Sequence, residues 1–424
     1  MPDVAHEDAL AVLQALRQAG FVAYFAGGCV RDLLMGRQAK DYDVATDAAP
    51  QQVRGLFKNT QAVGAAFGVI LVRQARSTIE VATFRTDLEY RDGRRPEGVK
   101  FATAEEDANR RDFTINGLFL DPVENRIIDF VGGQADLQAR RLRAIGNADR
   151  RFAEDHLRLL RAVRFASRLD FEIEAATAEA ITTHATELKR ISPERIAEEL
   201  RKMLTPATRD RAFQLLHRFG LIAVLMRFLP EKTSDRLKPP VPIFLSLNPG
   251  KAVAFGAALA ALVLDFRMNA AEAAGDPRDW FSASEIKRSV LAMRQTLKIS
   301  NDELNEMSWS MSFVQLLADE TPRVAALKRF LNQPHAEDAM QLMAAVASCG
   351  MMNDRIGVLM QTLDHYRQTE FAPLPLVTGD DLTTAGASPG PKFKLALDAA
   401  YDAQLEGTIT TKQQAMDVAM KVVQ

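Results

Sequence analysis

Along the first 145 residues the apolar positions keep changing period, and the predicted elements change with them. Residues 4–19 set Ala9, Val12, Leu13 and Leu16 at helical spacing and stop at Gly20. The run Phe21–Ala26 reads as a strand and Asp41–Ala45 as a second, with Gly27-Gly28 and a short helix bearing Arg31 and Asp32 between them. Ala49–Phe57 is helical, with Pro50 in its first turn. Val69–Arg73 and Thr78–Arg85 alternate and are rich in β-branched residues, which predicts an antiparallel pair. Glu105–Leu120 has Arg110-Arg111-Asp112 where a helix would start, and Ile127–Phe130 and Leu142–Ile145 flank the Gly132-Gly133 break. From Ala153 the period is helical: Ala153–Ala166 as one helix, a helix opening at Ser192-Pro193-Glu194, then Arg211–Phe228, Ala252–Asp265, Ser284–Lys298 and further segments to Arg367. Pro- and Gly-rich stretches at Leu229–Lys251 and Phe371–Gly390 interrupt it. The pattern predicts an α+β head over residues 1–145, then an all-α neck (146–228), body (229–370) and tail (371–424).

Composition narrows the class. A chain of 424 residues exceeds one ordinary core, and 47% apolar with 25% charged residues suits a soluble globular protein. Cys29 and Cys349 are the two cysteines, far apart, with no zinc or disulfide spacing, so a reducing, cytoplasmic compartment is expected. The most apolar run, Ala252–Phe266, is too short to span a bilayer, so no membrane association is expected. The net charge of −2 hides a gradient: Arg140–Phe228 carries 18 Lys/Arg against 12 Asp/Glu, a basic middle able to follow a nucleic-acid backbone or simply to solvate helices. The six histidines are scattered without a His-Asp metal cluster, which argues against an appended phosphohydrolase domain.

The candidate chemistry starts at residues 27–47. Alternate residues of a strand share a face about 6–7 Å apart, so Asp41 and Asp43 aim from one surface. Two such carboxylates can share Mg²⁺, which prefers oxygen ligands and retains substrate phosphates. The glycine turn at Gly28 offers backbone N–H groups to phosphate, and Arg31 can add a charge-assisted fork. Glu80 stands among β-branched residues in Thr-Ile-Glu-Val-Ala-Thr; it faces solvent, or becomes a third carboxylate if its strand neighbours that of Asp43. Arg85–Lys100 has no periodicity and reads as an exposed hairpin or a loop over the site.

Gly-Gly-Cys-Val-Arg-Asp, Asp41-Tyr42-Asp43, Arg-Arg-Asp-Phe-Thr-Ile-Asn (110–116) and Glu154-Asp155-x-x-Arg158 occur in that order. Together they resemble the bacterial class II tRNA nucleotidyltransferase and poly(A) polymerase family. The resemblance covers residues 20–205 closely and the last fifty less so. It implies a DNA polymerase β-like nucleotidyltransferase head and template-independent addition of the 3′-terminal CCA of tRNA from CTP and ATP. It further implies catalysis by Asp41, Asp43 and Glu80, with Mg²⁺ on the two aspartates, and triphosphate contacts from Gly28 and Arg31. Arg111 would contact the nucleotide and Asp112 the ribose, while Arg195–Leu200 resembles a motif supporting the base-reading helix. In related enzymes the loop corresponding to 85–100 helps switch from C to A. The tail would bind tRNA, and no stable protein partner is expected.

Asp155, Arg158, Arg161 and Arg164 recur every third residue, along one ridge of the expected helix. A carboxylate accepts and an arginine donates, so Asp155 with Arg158 matches an amino group beside a ring-nitrogen acceptor, the order found in cytosine and adenine and reversed in uracil and guanine. By resemblance Arg161 and Arg164 also contact the nucleotide. A basic solvent ridge is the plainer reading. Two rival functions share these motifs: a poly(A) polymerase or A-only enzyme on the same scaffold, and a non-catalytic tRNA-binding protein.

Overall fold

The computed structural model describes residues 4–64, 68–74, 76–88, 98–225, 242–271, 283–319, 321–350, 353–388 and 390–423. The chain forms two compact units, Met1–Met203 with Arg211–Met226, and Leu204–Asp210 with Arg227–Gln424. The predicted boundary at 145 therefore falls inside the first unit and that at 370 inside the second.

In the first unit, helix α1 (Val4–Gln18) leads to β1 (Ala23–Ala26), α2 (Gly28–Leu34), β2 (Asp43–Thr46) and α3 (Pro50–Leu56). Strands β3 (Thr60–Gly64), β4 (Val69–Arg73) and β5 (Thr78–Thr83) follow. Next come β6 (Arg85–Asp87), β7 (Val99–Phe101), α4 (Ala104–Asn109), β8 (Leu118–Asp121) and β9 (Arg126–Asp129). A seven-stranded sheet runs β3-β4-β5-β2-β1-β8-β9; β2 and β5 are parallel, and the other neighbours antiparallel.

Period-2 alternation divides the sheet into two faces. Phe25, Val44, Ile79 and Val81 point into a core closed by Ala9, Val12, Leu13 and Leu16 of α1, as the helical spacing predicts. Ala26 and Ala45 belong to the opposite face, packed with Phe84, Ala108 and Phe119. Asp43 alternates with Val44, and Glu80 with Ile79 and Val81, so both acids leave the sheet on the face away from α1. The second strand is shorter than expected: Asp41 lies outside it, and buried Tyr42 packs into the α1 core. Thr60–Gly64 adds a strand that the pattern did not announce.

The expected loop at 85–100 starts and ends as paired strands, β6 against β7; residues 89–97 lie outside the described residues. Helix α4 starts at Thr103, whose side chain accepts from Glu106 N while Glu106 answers Thr103 N. Arg110-Arg111-Asp112 therefore follows the end of a helix rather than opening one. After α5 (Gly133–Gln138) the apolar stretch Leu142–Ile145 contributes only Leu142 to a strand, β10 (Arg141–Leu142), paired in parallel with β11 (Glu172–Ile173).

Helices α6 (Ala148–Glu154), α7 (Leu157–Leu169), α8 (Ala175–Thr183), α9 (Pro193–Leu204), α10 (Arg209–Arg218) and α11 (Leu221–Leu225) follow. The single helix expected over 153–166 is two. Asp155 is extended, at φ −141° and ψ 103°, and its carboxylate caps α7 by accepting from Leu157 N at 3.1 Å. Likewise the expected helix 211–228 breaks at Gly220.

The described part of the second unit is helical. Most of the expected linker 229–251 lies outside the described residues, but Pro242–Ser246 is a helix whose first N–H groups are capped by buried Asp265. The Phe371–Gly390 stretch contains the helix Gly379–Thr384, ahead of Pro391–Leu405 and Lys412–Val423. Scattered histidines did not prevent one cluster from forming. Glu306, His335 and Asp338 bring ligand atoms within 4.8 Å of one another. Glu306 already accepts from Gly256 N, and His335 contacts Asp338 at 3.3 Å, so the three groups satisfy structural roles. Among the described residues no helix is long and apolar enough to cross a membrane.

Candidate active site

A cleft of about 790 Å³ in the first unit is lined by residues from the sheet and from the α4–α9 region. Its floor includes Gly27, Gly28, Asp43 and Glu80. Val44 pairs with Val81 across the parallel β2–β5 junction, so Asp43 and Glu80 are lateral neighbours one step earlier. The condition set for Glu80 is met: its strand adjoins that of Asp43, and both line one cavity.

Their mutual charge is visible in Asp43. Burial, then the adjacent Glu80, push its pKa up to about 6, with Asp41 adding to the effect and Arg111 opposing it. Asp41 is exposed and does not line the cleft, but its charge reaches Asp43. Cys29, beside this floor, donates to Ala26 O at 3.2 Å and is pushed up to about 11 by burial, which makes it a poor nucleophile.

Gly27 has φ +72° and donates to Leu118 O. A Cβ there would meet Arg111 Nη1 at 2.9 Å, so both conformation and close approach require glycine. Arg111 is held by Asp107 at 2.9 Å and by the Asn116 carbonyl at 3.1 Å, with its guanidinium over Phe119. Asp107 also pairs with Arg110 at 2.7 Å. Arg31 is buried; it pairs with Asp32 at 2.8 Å and donates to Asn116 Oδ1 at 2.7 Å.

Asp112 is buried and bonded on both oxygens. Oδ1 accepts from Phe113 N at 2.8 Å and Asn116 Nδ2 at 3.0 Å; Oδ2 accepts from Arg161 Nε and Nη2 at 2.8 and 2.5 Å. Burial alone would raise its pKa, but the charge of Arg161 and these bonds outweigh it and hold Asp112 at about 2.

The arginine ridge is divided. Arg158 and Arg161 line the cleft together with Asp155. Arg158 pairs with Glu154 at 2.8 Å and donates to the carbonyls of Arg151 and Arg110. Asp155 pairs with Arg195 at 3.1 Å. Arg164 is not part of the lining: it is drawn to Glu199 at 3.1 Å, on the side where α9 packs. The motif at 195–200 thus supports α7 through two ion pairs. Arg31, Arg161 and Arg164 all stack over one ring, Phe165, at 5.4, 5.4 and 4.6 Å.

From the sequence, Asp107, Asn116 and Phe165 have no site role, and Arg195 enters only as part of the motif that supports the base-reading helix, without its partner. Asp107 was detectable as an acid three and four residues before two arginines. Asn116 and Arg195 stand inside quoted motifs, but their partners, up to 85 residues away, carry no local signature.

Residues 23–143 match the poly A polymerase head domain, and residues 170–232 the probable RNA and SrmB- binding site of polymerase A. The chain is 41% identical over 259 residues to a CCA-adding enzyme of Bacillus pumilus, which covers 61% of this chain and 64% of that one. It is 44% identical over 220 residues to the CCA-adding enzyme of Geobacillus stearothermophilus, 52% of this chain and 54% of that one. The chain thus spans between about half and two thirds of the length of these curated relatives. In three dimensions it is similar to the Bacillus stearothermophilus CCA-adding enzyme in complex with CTP, with 30% identity, a TM-score of 0.74 and coverage of 99% of this chain and 98% of that one. A Thermotoga maritima CCA-adding enzyme complexed with tRNA shares the fold at 19% identity and a TM-score of 0.63, with 100% and 96% covered.

Proposed function

We propose a function from one premise: the chain belongs to the poly(A) polymerase and tRNA nucleotidyltransferase family. On that premise it is a cytoplasmic enzyme that adds or repairs the 3′-terminal CCA of tRNA, consuming CTP and ATP and releasing pyrophosphate. The observation that carries this reading is one cleft lined both by Asp43 and Glu80 of the sheet and by Asp155 and Arg158 at the start of α7. The names of the relatives support CCA addition over plain A addition.

Each residue has a task in this reading. Gly28 and Arg31 hold the triphosphate, with Arg111 adjacent. Asp155 and Arg158 read the base edge. Asp155 still has acceptor capacity, since a carboxylate offers about four lone-pair sites and Arg195 and Leu157 N take part of them. Arg158 commits one guanidinium nitrogen to Glu154 and Arg151 and the other to Arg110, which leaves N–H groups for a ring nitrogen. Uracil or guanine would oppose acceptor to acceptor and donor to donor, at about 1–3 kcal/mol per mismatched group.

The carboxylates at and beside the cleft fit a hard divalent cation: Asp43 and Glu80 line it, and Asp41, outside the lining, adds its charge next to Asp43. The groups are all carboxylates, and their mutual repulsion, visible in Asp43, is what such a cation relieves. Asp41 and Asp43 would hold it, and we assign magnesium. When bound it supplies charge neutralisation for phosphoryl transfer. Glu80 accepts the terminal 3′-hydroxyl proton as that oxygen joins the α-phosphorus and the bond to pyrophosphate breaks. Positioning and charge compensation supply most of the rate.

We assign residues 1–145 as catalytic head, 146–228 as neck, 229–370 as body and 371–424 as a tRNA-binding tail. The test is stepwise: transcripts ending before CCA, before CA and before A, each incubated with single nucleotides. C, C and A addition in turn supports the reading. Long A tracts on unrelated RNA point to a poly(A) polymerase, and A addition alone to an A-only enzyme. Incorporation by Asp41→Ala and Asp43→Ala at the rate of the parent would remove the catalytic assignment.

A further inference from the structure

The hydrogen bonds around Asp112 leave no room for a ribose. A carboxylate offers about four lone-pair sites, and Asp112 spends all of that capacity on Phe113 N, Asn116 Nδ2 and two nitrogens of Arg161. By the family resemblance Asp112 accepts from a ribose hydroxyl, a role that rests on the functional reading above, so one of these bonds must open first.

Asn116 is the bond with a reason to open. Its amide is oriented by chemistry: Oδ1 must face Arg31, which can only donate, and Nδ2 must face the ionised Asp112, which can only accept. The same side chain therefore links the triphosphate-side arginine to the ribose-side carboxylate, and all three groups line the cleft. The Phe113 bond is fixed by the backbone of the next residue, and the Arg161 bonds form a charged fork. The neutral amide is the weakest holder of the set.

We infer that Asn116 is a positioning residue that makes ribose recognition conditional on a bound triphosphate. When phosphate oxygens draw Arg31 onto themselves, Asn116 Oδ1 loses its donor. The amide is then able to turn, and Asp112 Oδ1 is released for the sugar hydroxyl. Without a triphosphate the Arg31–Asn116–Asp112 chain stays closed and the sugar goes unread. By linkage, ribose and triphosphate then bind cooperatively.

Equilibrium binding of CTP, dCTP, CMP and dCMP to the full chain tests this without relying on turnover. Wild type should prefer CTP to dCTP by about tenfold, the worth of one hydrogen bond, while CMP and dCMP bind alike. In Asn116→Ala, Asp112 Oδ1 is released permanently. The ribo preference should then be equal for mono- and triphosphate, whatever the absolute affinities become. Should Asn116→Ala fail to fold, Asn116→Ser retains a small polar group and gives the same reading. A purely structural role would weaken all four ligands and leave the difference between the two ratios unchanged in the variant; that result overturns the inference, as does an equal ribo preference for CMP and CTP in wild type. Failure of wild type to bind CTP would instead remove the functional reading beneath it, and is told apart because no ratio then exists.

Discussion

Arg161 directs both Nε and Nη2 at one oxygen of Asp112, at 2.8 and 2.5 Å, and so ties α7 to the segment that follows α4. The partners are 49 residues apart, and the aspartate is buried. A charged fork in that setting influences both stability and pH response.

Asp112→Asn keeps the shape and removes the charge. Asp112 has a folded pKa of about 2, below its unfolded value of about 3.9. Its stabilisation is therefore fully present above the unfolded value and is lost as pH falls through the folded one. Urea denaturation should show the variant less stable by about 1–3 kcal/mol, with a constant difference from neutral pH down to mildly acidic conditions. The gap should narrow only in strong acid. A gap that changes around neutrality would refute the assignment.

Asp43 titrates in the opposite sense. Its raised pKa of about 6, from burial and then Glu80, means that it holds a proton on the acid side of that value and loses it above. Activity should therefore have an acidic limb near this pH, and added magnesium should move the limb lower by competing with the proton. Glu80→Gln removes the repulsion, so its limb should also lie lower, although its maximal rate falls. Asp43→Ala should lose roughly 10²–10³-fold in kcat. Single-turnover rates against pH, with and without excess magnesium, decide this.

Gly27→Ala meets two obstacles, φ of +72° and Arg111 at 2.9 Å. A non-glycine residue in such a region costs about 1–3 kcal/mol, and Arg111 must shift. The expected result is a lower Tm together with a raised KM for nucleotide. Gly36→Ala is the control: it also has positive φ, but its Cβ would meet nothing within 4 Å. It should lower Tm without changing KM.

Asp265 makes the second unit sensitive to pH. Burial raises its pKa to about 7 despite bonds from Ile243 N and Phe244 N. A raised folded pKa gives stability that is full below the unfolded value and is lost as pH rises through the folded one. Stability of the unit should thus decline from mildly acidic to neutral pH. In Asp265→Asn, which cannot ionise, this decline should be absent from urea or thermal unfolding of the full chain. Parallel pH profiles for parent and variant would count against the titration.

Local chemistry explains what could be read in advance. The period of apolar residues locates α1, β4 and β5, because side-chain direction in a helix or strand follows from the backbone repeat, and Ser192-Pro193-Glu194 locates the start of α9 through its cap. Gly-Gly before Arg31, and acids two apart around Tyr42, are likewise short-range features. The break at Asp155 leaves no mark in the pattern, because helical spacing continues across it while the Asp155 carboxylate caps the second helix. Arg110-Arg111-Asp112 reads as a helix start because acids favour that position, yet the cap is made upstream by Thr103 and Glu106.

By itself the sequence determined which groups are available: paired carboxylates, a glycine turn before an arginine, and an acceptor and donors at every third position from Asp155. Only the tertiary structure decided which partner each group has. It set Glu80 beside Asp43 through the parallel pairing of β2 and β5, withdrew Arg164 toward Glu199, and closed Asp112 with Arg161 and Asn116. The physical reason is range. Hydrogen bonds and close ion pairs act over about 3–4 Å, and groups tens of residues apart come that near only when strands pair and helices pack.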